Sequence, residues 1–210
     1  MPYTAYVSTK DGDTLSVRKE AYGEIIGSLG NGAQVKVISE PKLVNSMKWV
    51  QIGVNRWVAL DFLKVIKTAR VVATRTTKTI NGLRIYETRL IDSTGKVINT
   101  VQGVSGRASK QTPSHVSGSQ APLPFGIYSF DSPGTVEAKG GEFGGVWSSV
   151  TPTFKTGRTE IGVHYDPSAL KNDNNSGTAG CFATPTPKER DIMTNFIRSY
   201  KPTHLIVCEG

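Results

Sequence analysis

The chain holds three histidines and two cysteines, and one of each, His164 and Cys181, flank the sixteen residues YDPSALKNDNNSGTAG. A cysteine attacks carbonyl carbon as its thiolate, and an unperturbed thiol, with a pKa of about 8.5, is only a few per cent ionised at neutral pH. An imidazole brought to the sulfur takes that proton and steadies the anion. The span between the two is rich in small, polar and turn-forming residues, so it reads as a loop that folds back and joins them. Gly180, immediately before Cys181, permits a tight turn in which neighbouring backbone N–H groups face a developing oxyanion. Spacing by itself is a weak signal, because a single Cys and a single His this close in sequence are more often incidental than catalytic. Metal binding is the weaker alternative. One His and one Cys do not make four ligands, and NDNNSG lacks the leading Asp and late Glu of a calcium loop. Neither a metal nor an organic cofactor is expected.

The elements that must carry this pair are short strands. The 22 glycines and 11 prolines, with few long periodic apolar stretches, favour strands joined by turns over a helical bundle. In residues 4–66, LSVR, QVKVI, WVQI and RWVA are separated by the turn-rich YGE, GNGA, SEPK and GVN. Alternation puts Val35 and Val37 on one face with Lys36 opposite, and Trp49 and Trp57 are expected to pack over a small barrel. The junction KVIKTAR (64–70) has no Gly or Pro, which predicts two units set close together. Beyond it, residues 70–78, 83–92 and 96–104 are rich in β-branched side chains and are split by NG and STG, both hairpin-turn chemistry. Residues 105–122 read as a polar loop, FGIYSF (125–130) as a strand, and 131–145 as a long Gly-rich loop. Phe143 and Trp147 flank that loop, which suits either a lid over a cleft or simple packing. TEIGVHY (159–165) reads as a strand with His164 at its end. One helix is clear: Thr186 as N-cap, Pro187 in the first turn and Glu189 completing a capping box. Ile192, Met193, Phe196, Ile197 and Tyr200 line its apolar face, and HLIVC (204–208) returns as a strand.

Composition narrows the partners. A net charge of +8 suits a polyanion such as nucleic acid, an acidic membrane surface or an anionic wall. The basic residues are scattered and not interleaved with aromatics, so no nucleic-acid partner is expected. No apolar run is long enough to span a membrane. The N-terminus MPYTAYVSTKDGDT lacks the basic and apolar regions of a secretory signal. The expectation is therefore either release from the cytoplasm by another factor or loss of a leader. Cys208, among Leu205, Ile206 and Val207, is expected to be a small core residue rather than a bridge partner. His204 is expected to be structural and His115 solvated.

Two resemblances gather these pieces. Residues 1–66 resemble the bacterial SH3-like domain, in the order Leu15–Arg18, Ile26–Val37, Trp49–Ile52, Trp57–Val58 and Phe62–Leu63. Such modules usually bind cell-wall glycopeptide. Residues 67–210 resemble the L,D-transpeptidase catalytic domain, through the VSGRAS and PFGIYSF runs, His164 at a strand end and Thr178-Ala179-Gly180-Cys181. The resemblance implies a mainly β chain: a small SH3-like barrel, then a β-rich catalytic domain with one helix in its C-terminal region. It implies Cys181 as nucleophile, His164 as general base and the backbone carbonyl of Tyr165 as the group that orients the imidazole, with Asp166 an alternative partner. Thr178, Arg158 and Trp147 are candidate substrate contacts, Arg158 for stem-peptide carboxylates. The pattern departs from the family at Ala179 and Ala183, where polar residues are usual.

The implied activity is attack of Cys181 on a peptidoglycan stem-peptide carbonyl to give a thioester. An amine then forms a cross-link (L,D-transpeptidase), or water cuts the peptide, as a hydrolase of the phage-lysin or endolysin type would. The site of action would be the cell wall or periplasm. The alternative is a non-catalytic wall-binding or virion structural protein that keeps the fold, which Ala179 and Ala183 favour.

Overall fold

Val35 and Val37 are buried and Lys36 is exposed, and this period-two alternation builds most of the protein. The computed structural model describes residues 1–210. It is mainly β, with one long helix. The N-terminal part contains β1 (Tyr3–Val7), β2 (Leu15–Arg18), β3 (Ile25–Leu29), β4 (Gln34–Val37), β5 (Lys42–Val44), β6 (Met47–Gly53), β7 (Arg56–Ala59) and β8 (Leu63–Lys64). They form a three-stranded sheet, β4-β1-β8, and a five-stranded sheet, β3-β2-β7-β6-β5. Between them lies a core of Ala5, Val7, Leu15, Val17, Val35, Val37, Val50 and Val58. Trp49 is buried and meets Tyr22 edge to face, with Arg18 over its ring, whereas Trp57 is only half-buried.

The remaining strands are β9 (Arg70–Ile80), β10 (Leu83–Ile91), β11 (Val97–Arg107), β12 (Gly126–Phe130), β13 (Trp147–Pro152), β14 (Ile161–Tyr165), β15 (Gly177–Thr184) and β16 (His204–Glu209). They close into an eight-stranded barrel in the order β10-β11-β15-β14-β13-β12-β16-β9. All pairs are antiparallel except β14 with β15 and β16 with β9. The helix α1 (Pro187–Tyr200) starts as its capping residues dictate: the Thr186 hydroxyl accepts from Glu189 N and donates to its carboxylate. Met193, Phe196 and Ile197 join Tyr86, Leu90, Tyr128, Val163, Phe182 and Leu205 in one core. Tyr200 stays exposed at the helix end, stacked on Phe196.

Three sequence expectations change. The strand β11 runs on to Arg107, so the polar segment taken to begin at 105 starts later. Strand β13 was not anticipated, and Trp147 opens it rather than flanking a loop. Cys181 lies inside strand β15 and His164 inside β14, so only residues 166–176 of the 164–181 span are loop. Each has the same cause. Polar or small residues form strands wherever both neighbours in a barrel supply backbone partners, a context that side-chain pattern does not carry.

The two parts meet over a buried apolar seam of Tyr6, Ile66, Val72, Ile91, Ile127 and Ile206. The guanidinium of Arg70 donates to Tyr6 Oη (2.8 Å), and Asn31 Nδ2 to Phe125 O (3.3 Å). Lys155 N donates to Lys10 O (2.7 Å), so the contact includes backbone pairing. The close junction anticipated from KVIKTAR is seen in Ile66, which the seam buries. The tightest approach is at Gly32, at φ +80°, where a Cβ would overlap the carbonyl oxygen of Val207. Gly32→Ala is expected to lower unfolding stability by about 2–3 kcal/mol, from overlap and backbone strain together. Gly30→Ala, whose Cβ would meet nothing within 4 Å, is the control and should stay within about 0.5 kcal/mol of the parent. Urea unfolding of the two variants checks this, and equal stabilities would show that the seam opens freely.

Candidate functional site

His164 and Cys181 belong to neighbouring parallel strands. In register Val163 lies beside Phe182 and His164 beside Ala183. Val163 and Phe182 face the barrel core, so the alternate residues His164, Cys181 and Ala183 share the outer face. Cys181 is one step along that face from His164, a diagonal neighbour. Such neighbours lie about 7–8 Å apart, within the combined reach of the two side chains. No hydrogen bond joins the sulfur and the imidazole as they stand. The thiol is turned instead toward the carbonyl oxygen of Glu160, at 3.8 Å.

The imidazole is held from three sides. Its Nδ1 lies 2.8 Å from Tyr165 O. A carbonyl only accepts, so Nδ1 carries the proton and Nε2 presents the lone pair, the arrangement a general base needs. Trp147, paired with His164 across β13 and β14, stacks on the ring at 6.0 Å between centroids, and Phe143 meets it edge-on at 5.3 Å. Phe143 comes from the segment between β12 and β13. Gly144 in the same segment lies against the Tyr165 ring, and Lys139 Nζ sits 4.1 Å from the Phe143 centroid and 3.9 Å from that of Trp147. Glu142 reaches Arg107 at 3.9 Å, tying this cover to the end of β11. His164 is thereby 5% exposed. Burial lowers its pKa, opposed by the Tyr165 carbonyl and by Asp166. Asp166 itself does not bond the ring: its Oδ1 accepts from Ser168 N and Oγ.

The thiol is half-buried. Burial raises the Cys181 pKa above the ordinary thiol value, against the lowering influence of the backbone at Gly162 and of Arg158. The resting pair is thus neutral thiol with neutral imidazole, not an ion pair. Both cysteines are free thiols, and Cys208 is 5% exposed in β16.

The turn before Cys181 is locked by one side chain. Thr178 Oγ1 accepts from Gly106 N (3.0 Å) and Gly180 N (3.1 Å) and donates to Cys181 O (2.8 Å). That exhausts a hydroxyl's single donor and two acceptor sites, and Thr178 is 3% exposed. Gly180 sits at φ +117°, and its N–H is already engaged by Thr178 rather than open to an oxyanion. The three expected substrate contacts are engaged within the protein. Thr178, Arg158 and Trp147 are all buried; Thr178 is saturated by the turn, Trp147 supports the imidazole, and Arg158 donates to four protein acceptors. Ser105 was not singled out from sequence. Its Oγ donates to Cys181 O (2.8 Å) and accepts from Leu123 N (3.0 Å), fixing the strand under the thiol. Lys139, Glu142 and Arg107 also escaped notice, since isolated surface charges carry no local signature.

A small cavity of about 10 Å³ lies beside His164, walled by Val163, Thr184 and Met193 among others, and the larger ones lie elsewhere. The largest, about 710 Å³, is at the junction of the two parts and is lined by Lys10, Asp11, Asp13, Asp61, Lys64 and Thr153, among others, with neither His nor Cys in its wall. Beside it the N-terminal part carries a cleft of about 250 Å³ with Leu15, Arg18, Tyr22, Met47, Trp49 and Phe62 in its wall. No group of His, Cys, Asp and Glu is placed to hold a metal ion. His204, with Nδ1 on the Thr203 hydroxyl at 2.6 Å, is on the opposite side of the sheet order from the thiol, and burial lowers its pKa to about 4.

No family model, curated protein or solved structure matches this chain, so its chemistry is read from its own atoms. Those atoms set an expectation for thiol reactivity. Labelling by iodoacetamide, followed by mass spectrometry of the two cysteine peptides, should be at least about tenfold faster at Cys181 than at Cys208, because access differs. Its rate should still be climbing about tenfold per pH unit above pH 7, because the thiol is neutral there. A Cys181 rate that levels off below pH 7 would contradict the neutral pair.

Proposed function

We propose that this chain is a cysteine-dependent enzyme acting on peptidoglycan stem peptides through a thioester acyl-enzyme, of L,D-transpeptidase-like type. The supporting observation is the outer face shared by His164 and Cys181, with the imidazole tautomer set by Tyr165 O. A cysteine χ1 rotation carries the sulfur from Glu160 O toward Nε2. His164 Nε2 then takes the thiol proton as sulfur attacks the peptide carbonyl, and the tetrahedral oxyanion collapses with the amine leaving. That amine takes the proton back from His164. The thioester is next opened by an amine, forming a cross-link, or by water, cutting the peptide. The cover formed by Lys139, Phe143 and Trp147 keeps the imidazole dry and neutral, ready to act as base. The N-terminal part is proposed as an SH3-like wall-binding module, with its aromatic cleft at Tyr22 and Trp49 the place for a glycopeptide. In this reading the enzyme works at the cell wall or periplasm, either as a transpeptidase or as a hydrolase of the phage-lysin type.

A second reading, a non-catalytic wall-binding or virion structural protein, draws on the thiol's orientation away from the imidazole. It also draws on Ala183, which is fully buried in an apolar cluster with Leu83, Val104 and Ala169.

Incubation of purified cell wall with the parent protein should yield new muropeptides, whose masses distinguish cross-linking from cleavage. Cys181→Ala should abolish them, and His164→Ala should reduce turnover about 10²–10⁴-fold. Unchanged wall after prolonged incubation with the parent would favour the structural protein. The acid limb of the rate should fall below the ordinary imidazole pKa of about 6.5. The sign follows from burial: the folded protein resists protonating His164, so the base persists to lower pH. An acid limb above pH 7 would remove His164 as the base.

A further inference from the structure

Arg158 is 6% exposed and donates to Ser114 O (3.3 Å), Ser119 Oγ (3.1 Å) and Ala121 O (3.1 Å) through Nη1, and to Gly180 O (2.7 Å) through Nη2. All four acceptors are neutral, and Arg158 belongs to none of the protein's ion pairs. Burying a cation without an anion is strongly unfavourable unless dipoles gather round it. Here carbonyls gather from the 108–125 segment and from the turn before Cys181. The contact with that turn is intimate, because a Cβ at Gly180 would overlap Nη2. The guanidinium is pressed against the Gly180–Cys181 peptide, and the one neighbour that becomes an anion during thiol chemistry is Cys181.

The other charges facing the sulfur differ in kind. Lys139 and Glu142 come from the cover over His164, carry opposite signs and oppose each other at the thiol. Glu142 is exposed and leans to Arg107, and Lys139 lies on the Phe143 and Trp147 rings. Glu160 offers its carbonyl, while its side chain is exposed. His164 is neutral at rest. Arg158 alone is both charged and buried, held by the 108–125 segment and by Gly180 O in β15.

We propose that Arg158 is a positioning residue that supplies the fixed positive charge against which Cys181 ionises, and that it does not bind substrate carboxylates. The inference rests on the thiol chemistry proposed above. When the S–H bond breaks, the proton goes to His164 Nε2 and the electron pair stays on sulfur. The new anion then faces a cation that the fold has already desolvated, so little reorganisation is needed.

The test is the pH profile of Cys181 labelling by iodoacetamide in the full chain, read on the Cys181 peptide. Arg158→Gln should move the midpoint up by about one pH unit, with labelling at neutral pH about tenfold slower. Arg158→Lys keeps the charge and should hold most of the parent profile while lowering thermal stability through lost hydrogen bonds. A Gln profile that superimposes on the parent, or a Lys profile displaced as far as that of Gln, overturns the proposal. His164→Gln provides a measurement that leaves Arg158 in place. Its Cys181 midpoint should match the parent, since the imidazole is already neutral where the thiol ionises, and a midpoint that rises assigns the cation to the imidazolium and overturns the proposal. Labelling needs no wall substrate, so a protein that labels as expected yet releases no muropeptide supports the Arg158 assignment and ends the enzyme reading alone.

Discussion

The site depends on one constraint, the parallel pairing of Ile161–Tyr165 with Gly177–Thr184. Antiparallel neighbours join through a tight turn, but parallel neighbours need a crossover, and here it is the loop 166–176. The crossover sets the register, and the register sets which faces meet. Slipping the pair by one residue would send either His164 or Cys181 into the apolar interior beside Phe182 and Val163. Much of the local hydrogen bonding guards this register. Asp166 anchors Ser168, whose hydroxyl accepts from Gly177 N, and Arg107 donates to the carbonyls of Asn175 and Gly177. Thr178 and Ser105 then both hold the Cys181 carbonyl.

Dryness sets the electrostatics of that face. A thiol and an imidazole side by side in water gain little by exchanging a proton. With Phe143 and Trp147 over the imidazole and the thiol half-buried, the ion pair is disfavoured at both ends, since burial pushes the thiol up and the imidazole down. Those shifts oppose a resting thiolate and leave a neutral base next to a neutral nucleophile. In the proposed enzyme reading, charge separation becomes favourable only when a carbonyl accepts the sulfur's electrons, which would confine reactivity to the bound state. On that reading the same arrangement would limit stray alkylation and oxidation, because the thiolate is scarce until a substrate arrives.

Local chemistry in the sequence was legible where it is self-contained. The Thr186-Pro187-Glu189 cap and the Asn81-Gly82 hairpin act within a few residues, and both are present in the structure. The alternation at Gln34–Val37 needs only one core to face, and Val35 and Val37 face it. Roles assigned by residue type fared differently. A threonine beside a reactive cysteine and an arginine before a strand look like substrate contacts, yet Thr178 and Arg158 are buried because segments some forty to seventy residues away in sequence close over them. Strand β13 stayed hidden because WSSVTP is half polar, with Ser148 and Ser149 bonded to Thr135 and Asp131 in a neighbouring segment. The proximity of His164 and Cys181 could be suspected from spacing, but their shared face comes only from the register of two strands.

The N-terminal part bears on the site through geometry rather than contact. Its seam covers the outer face of β9, β16 and β12, while His164 and Cys181 occupy the outer face of β14 and β15. In a closed barrel those are different sides of one body. Buried isoleucines and the Lys155–Lys10 backbone bond hold the two parts rigidly rather than as beads on a linker. A flexible tether raises local concentration in all directions, whereas a rigid one fixes both distance and heading. A ligand lying along Tyr22 and Trp49 would thus meet the thiol face at one set spacing. In the proposed wall-binding reading, that spacing would suit an extended, repeating partner, with the module on one unit and the cysteine facing another.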